Sequence, residues 1–152
     1  MVNFEISIAG HSDIDTIAPM FDLYRQFYSQ EPNLNLASAY IAQRILRNES
    51  IIFLAVNGSG FGLGFCQIYP TFCSVEAMPI YVLYDLFVRP DARYLGVGRE
   101  LLLAAEAHAK SNNIARMDLN TAKSNISAQA LYESLGWVRD EVFYTYNRIV
   151  GS

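Results

Sequence analysis

Cysteine and histidine are scarce in this chain, two of each among 152 residues. Cys66 and Cys73 fall in one predicted strand segment, which offers neither a disulfide framework nor metal-ligand spacing. His11 and His108 are far apart in sequence and outside any zinc motif, so no metal is expected. Positive charge is also short: 11 Lys and Arg against 15 Asp and Glu leave a net charge of −4. A nucleic-acid binder would show a basic stripe, so nucleic acid is not an expected partner, and the acidic balance fits a cationic small substrate. No apolar run is long enough to span a membrane. No signal peptide is visible either, since Val2, Phe4, Ile6 and Ile8 already alternate as a strand does. The expectation is a cytoplasmic protein with no membrane partner. Linkers, repeats and low-complexity segments are absent as well, which predicts a single domain over residues 1–152.

What is abundant is apolar and aromatic: 52% hydrophobic residues and 13% aromatics, enough for a substantial core. After the first strand, Ser12 and Asp15 have capping-box spacing, and Ile14, Ile17, Phe21, Tyr24 and Tyr28 share one helical face. Pro19 predicts a bend in that helix. A second helix is predicted from Leu36 to Asn48 with Tyr40, Ile41, Ile45 and Leu46 inward. Ile51 to Val56 and Phe61 to Cys73 read as strands joined by the turn Asn57-Gly58-Ser59-Gly60, the second weakened or bulged at Gly62, Gly64 and Pro70. Tyr81 to Val88 is the next antiparallel strand.

The stretch after Val88 organises the rest. Arg89-Pro90-Asp91 stops the strand, because proline fixes φ and lacks an N–H. Arg93-Tyr94-Leu95-Gly96-Val97-Gly98-Arg99 then opens a helix running to about Ser111. The first amides of a helix have no intrahelical partner, and the macrodipole adds partial positive charge there. With Gly96 and Gly98 allowing close backbone approach, and Arg93 and Arg99 adding charge, this junction predicts a pyrophosphate cradle. It is neither a P-loop nor a dinucleotide fingerprint, since G-x-x-x-x-G-K-[ST] is missing and position 101 is Leu101. His108, on the last turn of that helix, reads as a favourable partner for the macrodipole. Ala115 to Thr121 is predicted as a strand parallel to Tyr81–Val88, reached by a right-handed crossover. Ser124 or Asn125 starts a last helix, closed by Gly136. Trp137 to Asp140 and Val142 to Ile149 read as final strands.

The R-x-x-G-x-G run at 93–98, after a strand ending Leu86-Phe87-Val88, resembles motif A of the GNAT acetyltransferases. Leu119 to Asn125 and Ala130-Leu131-Tyr132-Glu133-Ser134-Leu135-Gly136-Trp137 resemble motif B of the same family. Tyr84-Asp85-Leu86-Phe87-Val88, with Leu23 to Tyr28 and Ile68 to Ser74, is similar to small-amine members of the polyamine and Hpa2-like type. The resemblance implies the GNAT fold: α+β in α/β/α layers, with a mixed, mostly antiparallel sheet of about seven strands and a central, splayed parallel pair. It also implies an acetyl-CoA-dependent N-acetyltransferase acting on a primary amine of a small molecule by direct attack in a ternary complex.

Residue roles follow from the same resemblance. The loop Arg93 to Arg99 holds the pyrophosphate. The backbone of Leu86, Phe87 and Val88 pairs with the pantetheine arm like an added strand, and an N–H there meets the thioester oxygen. Asn120 and Asn125 belong to the cofactor side, Asn125 being equally a helix N-cap. Tyr132 either gives a proton to the departing thiolate or is a core tyrosine. Polyamine-type members carry a glutamate where this chain has Tyr84. Asp85 is the nearest acid, as base, ammonium anchor or structural acceptor. Strict alternation would send it to the sheet face opposite Tyr84, which leaves a water relay through Tyr84 as another route. Tyr24, Tyr28, Tyr69 and Glu76 are candidates to line the acceptor site, aromatic faces favouring cationic amines. Phe27 and Phe72 read better as core. The missing glutamate keeps open an acyl-CoA-binding regulatory module without chemistry, and the same fold would also serve a protein or histone lysine acetyltransferase. Exposed edge strands and the aromatic run Phe143-Tyr144-Thr145-Tyr146 suggest a homodimer.

Overall fold

A computed structural model describes residues 3–151, so the expectation for Val2 falls outside the described residues. The chain divides into two compact units, one ending at Asn120 and one starting at Thr121.

The first unit carries a sheet of five strands in the order β1-β2-β3-β4-β5. They are β1 Phe4–Ile8, β2 Ile51–Asn57, β3 Gly62–Cys73, β4 Met78–Val88 and β5 Met117–Asp118, with α1 Ile14–Phe27, α2 Leu34–Leu46 and α3 Val97–Ser111. The first four strands are antiparallel and β5 runs parallel to β4. The fold class is therefore mixed α+β, as expected. The β2–β3 turn works through Asn57, whose side-chain oxygen accepts from the amides of Ser59 and Phe61 at 3.0 Å each.

Strand parity decides what each face meets. On β3, Phe65 packs in the core with Ile17 and Phe21 of α1 and Ile41 of α2. Its neighbour Cys66 turns the other way and donates to the Leu101 carbonyl of α3. Helices α1 and α2 thus cover one sheet face and α3 the other, each with the apolar stripe its periodicity predicts. Phe27, Leu46 and Phe72, expected inward, are exposed. The capping box sits one turn before α1, at Gly10 and Asp13 rather than at Ser12 and Asp15: the Asp13 carboxylate accepts from the Gly10 amide at 2.8 Å and closes the 3-10 turn His11–Asp13 that leads into α1. The link from α1 to α2 is tied by Asp22, a buried carboxylate accepting from the Asn33 amide at 2.9 Å.

Two irregularities bear on function. The register between β3 and β4 shifts so that Gln67 opposes Asp85 while Ile68 opposes Leu83, leaving Tyr84 as an extra residue in β4. The parallel ladder between β4 and β5 is only two pairs long, Tyr81 with Met117 and Val82 with Asp118. The predicted strand Ala115–Thr121 is thus much shorter than expected, and beyond Val82 the outer edge of β4 has no strand partner among the described residues.

The second unit contains α4, Ile126–Ser134. Asn125 caps it, its side chain accepting from the Ala128 amide at 3.4 Å. The helix closes in a Schellman motif: Gly136 at φ 89° is left-handed, its N–H bonds the Glu133 carbonyl at 3.1 Å, and the Trp137 N–H bonds the Tyr132 carbonyl at 3.0 Å. The strands expected over Trp137–Asp140 and Val142–Ile149 are not formed, so the parallel pair lies at the edge of the described sheet rather than at its centre. Val142, Phe143, Tyr144, Tyr146 and Ile149 are exposed. A run of β-branched and aromatic residues becomes a strand only where a ladder partner satisfies its backbone.

Candidate active site

The bulge at Tyr84 is the local feature from which the site is built. Tyr81 and Phe87 are six positions apart and would share a face in a regular strand. Instead the Tyr81 hydroxyl meets His108 Nδ1 of α3 at 3.1 Å, whereas Phe87 sits in the α1/α2 core. The extra residue changes the parity between them. Asp85 and Tyr84 therefore share the α1/α2 face, against the alternation expected from sequence. Asp85 accepts from Gln67 Nε2, and the Tyr84 ring packs edge-on against Tyr69, centroids 5.8 Å apart.

Around Asp85 the rings converge. The Tyr24 hydroxyl donates to the Tyr84 carbonyl at 3.0 Å, and Tyr28 stacks edge-on against Tyr24 at 5.2 Å. Tyr69 shares a hydrogen bond of 2.6 Å with Tyr40 of α2, and the Arg44 guanidinium lies 4.4 Å over the Tyr40 ring. Asp85 is 3% exposed and Tyr84 64%, so the cluster runs from a dry carboxylate out to a solvent-facing ring. Burial pushes the Asp85 carboxyl up to about 6, against hydrogen bonds from Gln67 and Tyr24 that favour the anion. Burial likewise raises the Tyr24, Tyr69 and Tyr28 phenols, helped by the negative Asp85. The arrangement is one buried carboxylate with its proton affinity moved toward neutrality inside a wall of protonated phenols. Such a group can hold an ammonium and accept its proton.

The Val88–α3 junction has the form of an anion cradle. Gly96 caps α3 at φ 86°, and a Cβ built there would meet no heavy atom within 4 Å. The first intrahelical bond is from the Glu100 amide to the Gly96 carbonyl at 3.0 Å, so the amides of Val97, Gly98 and Arg99 point beyond the helix start. Tyr94 is also left-handed, at φ 66°, and almost fully exposed, and Leu95 is exposed. Arg93 Nε donates to the Val88 carbonyl at 3.2 Å, folding the loop back on the end of β4. The side chains of Leu86 and Val88 are half-buried and that of Phe87 is buried, on the strand whose outer edge is unladdered. Open space at Gly96, free amides and that edge fit a phosphate-bearing carrier with an extended arm.

The other sequence candidates lie elsewhere. Glu76 is in the β3–β4 turn, ion-paired with Arg116 at 3.0 Å. His108 lies on the α3 face with Tyr81 and Phe53. Asn120 is exposed just past β5. In the second unit Tyr132 is buried, its ring 6.1 Å from Trp137. Sequence reasoning missed Gln67, Tyr40 and Arg44. A fully buried glutamine inside Phe65-Cys66-Gln67-Ile68 was the available signal, since an amide in an apolar strand needs a partner. Among the described residues no group of three or more His, Cys, Asp or Glu could hold a metal ion, and no helix is long and apolar enough to cross a membrane.

The model of the Acetyltransferase (GNAT) family matches residues 17–137. The chain belongs to the GNAT acetyltransferase family. This acyltransferase is 43% identical to the uncharacterized N-acetyltransferase YhfO of Bacillus subtilis (strain 168), over 91% of this chain and 92% of that protein. A solved probable acetyltransferase superposes with a TM-score of 0.91 at 33% identity, covering 97% of this chain and 99% of that one. At 16% identity, an aminoglycoside N-acetyltransferase solved in complex with CoA superposes with a TM-score of 0.82, covering 97% and 96% of the two chains, and shows the shared fold. GNAT enzymes use acetyl-CoA, and the open cradle of this acetyltransferase fits that carrier.

Proposed function

We propose that the protein transfers acetyl from acetyl-CoA to a primary amine of a small molecule by direct attack in a ternary complex. The observation that carries this is the buried Asp85 among Tyr24, Tyr28, Tyr69 and Tyr84, directly beside the unladdered edge of β4. When bound, acetyl-CoA supplies the activated acetyl thioester. The amides of Val97, Gly98 and Arg99, with Gly96, Arg93 and the exposed Tyr94 and Leu95, hold its pyrophosphate, and the β4 edge from Leu86 to Val88 aligns the arm. Asp85 pairs with the incoming ammonium and takes up its proton, freeing the nitrogen lone pair. The Tyr24, Tyr28, Tyr69 and Tyr84 rings favour a cation. The Tyr132 phenol holds the proton that the released sulfur takes up, and Asn120 and Asn125 act on the cofactor side. The family match over residues 17–137 supports a single N-acetyltransferase domain. The apolar, exposed C-terminal run supports a homodimer, checked by light scattering.

The test is release of CoA thiol from acetyl-CoA in the presence of polyamines, arylalkyl and aliphatic monoamines, aminoglycosides, amino acids and lysine peptides. Turnover with a small amine is expected. A lysine peptide outrunning every small amine would assign a protein substrate instead. Silence across the panel, with acetyl-CoA still raising the melting temperature, would leave an acyl-CoA-binding regulatory module.

A further inference from the structure

Gln67 is fully buried on β3, opposite Asp85 in register, and its Nε2 donates to Asp85 Oδ2. An amide can present either end. Here the choice is made by Ser50, whose hydroxyl donates to Gln67 Oε1 at 2.7 Å and so occupies the acceptor end. We propose that Gln67, oriented by Ser50, is a positioning residue that keeps the Asp85 carboxylate ionised and aimed into the tyrosine cluster.

The physical need is clear from what surrounds Asp85. From α1 it faces Tyr24 and Tyr28; from β3 it faces Tyr69 and the neutral Gln67; on its own strand it adjoins Tyr84. Arg44 acts on Tyr69 from α2, and among the described residues no arginine or lysine bonds Asp85 itself. A buried anion without a cationic partner would ordinarily take up a proton, and a protonated carboxyl can neither hold an ammonium nor accept from it. The amide of Gln67 opposes that outcome without introducing a competing positive charge.

This inference rests on Asp85 acting on the acceptor amine, and the experiment separates the two. The Asp85 carboxyl is titrated directly by carbon NMR in the wild type, Gln67→Met and Ser50→Ala, and kcat/KM is followed against pH in the same proteins. Losing one charge-assisted hydrogen bond is expected to move the Asp85 titration up by about one to two pH units in Gln67→Met, with a smaller shift of the same sign in Ser50→Ala. A merely structural role would lower the melting temperature without moving that titration. Should Gln67→Met fail to fold, the Ser50→Ala titration decides alone. An unmoved titration in the folded variants overturns the assignment of Gln67. A titration that moves while the acid limb of kcat/KM stays in place upholds Gln67 and removes Asp85 from the chemistry.

Discussion

The Tyr24 hydroxyl donates to the Tyr84 carbonyl at 3.0 Å, joining the last turn of α1 to the bulge in β4. The bulge disrupts the ladder locally, so its carbonyl depends on a side chain for a partner. Tyr24→Phe is expected to lower stability by about 1 kcal/mol in urea unfolding. It should also move the acid limb of kcat/KM upward, because the Tyr24 hydroxyl proton, shared between the Tyr84 carbonyl and Asp85, favours the ionised carboxyl. An unchanged limb would separate the clamp from the carboxylate.

Asp85 makes stability depend on pH in a direction unusual for an acid. Its folded value of about 6 lies above the ordinary 3.8, so between those limits the folded state holds more protons than the unfolded one. Stability is fully supported below the lower limit and falls as pH rises through the upper, by on the order of 3 kcal/mol for a shift of this size. Asp85→Asn removes that fall. The variant should therefore melt higher than the wild type at pH 8 while losing turnover, and scanning calorimetry at pH 4 and pH 8 checks the sign.

Gly96 and Gly64 should fail for different reasons. A side chain at Gly96 meets no neighbour but must adopt φ 86°, costing about 1–2 kcal/mol and filling the cradle. A Cβ at Gly64 would lie 2.6 Å from the Phe87 carbonyl oxygen and 3.2 Å from Val88 Cα, forcing β3 away from β4. Gly96→Val is expected to abolish the rise in melting temperature given by acetyl-CoA. Gly64→Ala is expected to lower the melting temperature before any ligand is added.

Tyr132→Phe keeps the ring against Trp137 and removes only the hydroxyl. A general acid contributes about 10²-fold or more, so turnover should fall by that order while the Kd for acetyl-CoA stays constant. Equal turnover in single-turnover measurements would take Tyr132 out of the mechanism.

The parts of this protein that were legible in its sequence are those governed by local rules. Ile17, Phe21 and Tyr24 recur at helical spacing, Arg93 to Gly98 opens a helix, and Asn125 and Gly136 bracket another, because stripes and caps are written within a few residues. What resisted was set between strands. The placement of Asp85 beside Tyr84 depends on an extra residue that becomes visible only when Gln67 and Ile68 supply a register to count against. Gln67 itself has meaning only through Ser50 and Asp85, 17 and 18 positions away. The C-terminal aromatics carry strand propensity, yet propensity without a neighbouring ladder leaves them unpaired in the second unit.

The brevity of the β4–β5 ladder also bears on how the protein keeps in solution. A row of amides and carbonyls without a ladder partner is a template for any extended chain, including a partly unfolded sibling. Acetyl-CoA lying along that row would cap it as a gatekeeper residue caps an edge, so cofactor-depleted preparations should be the ones that clump on storage.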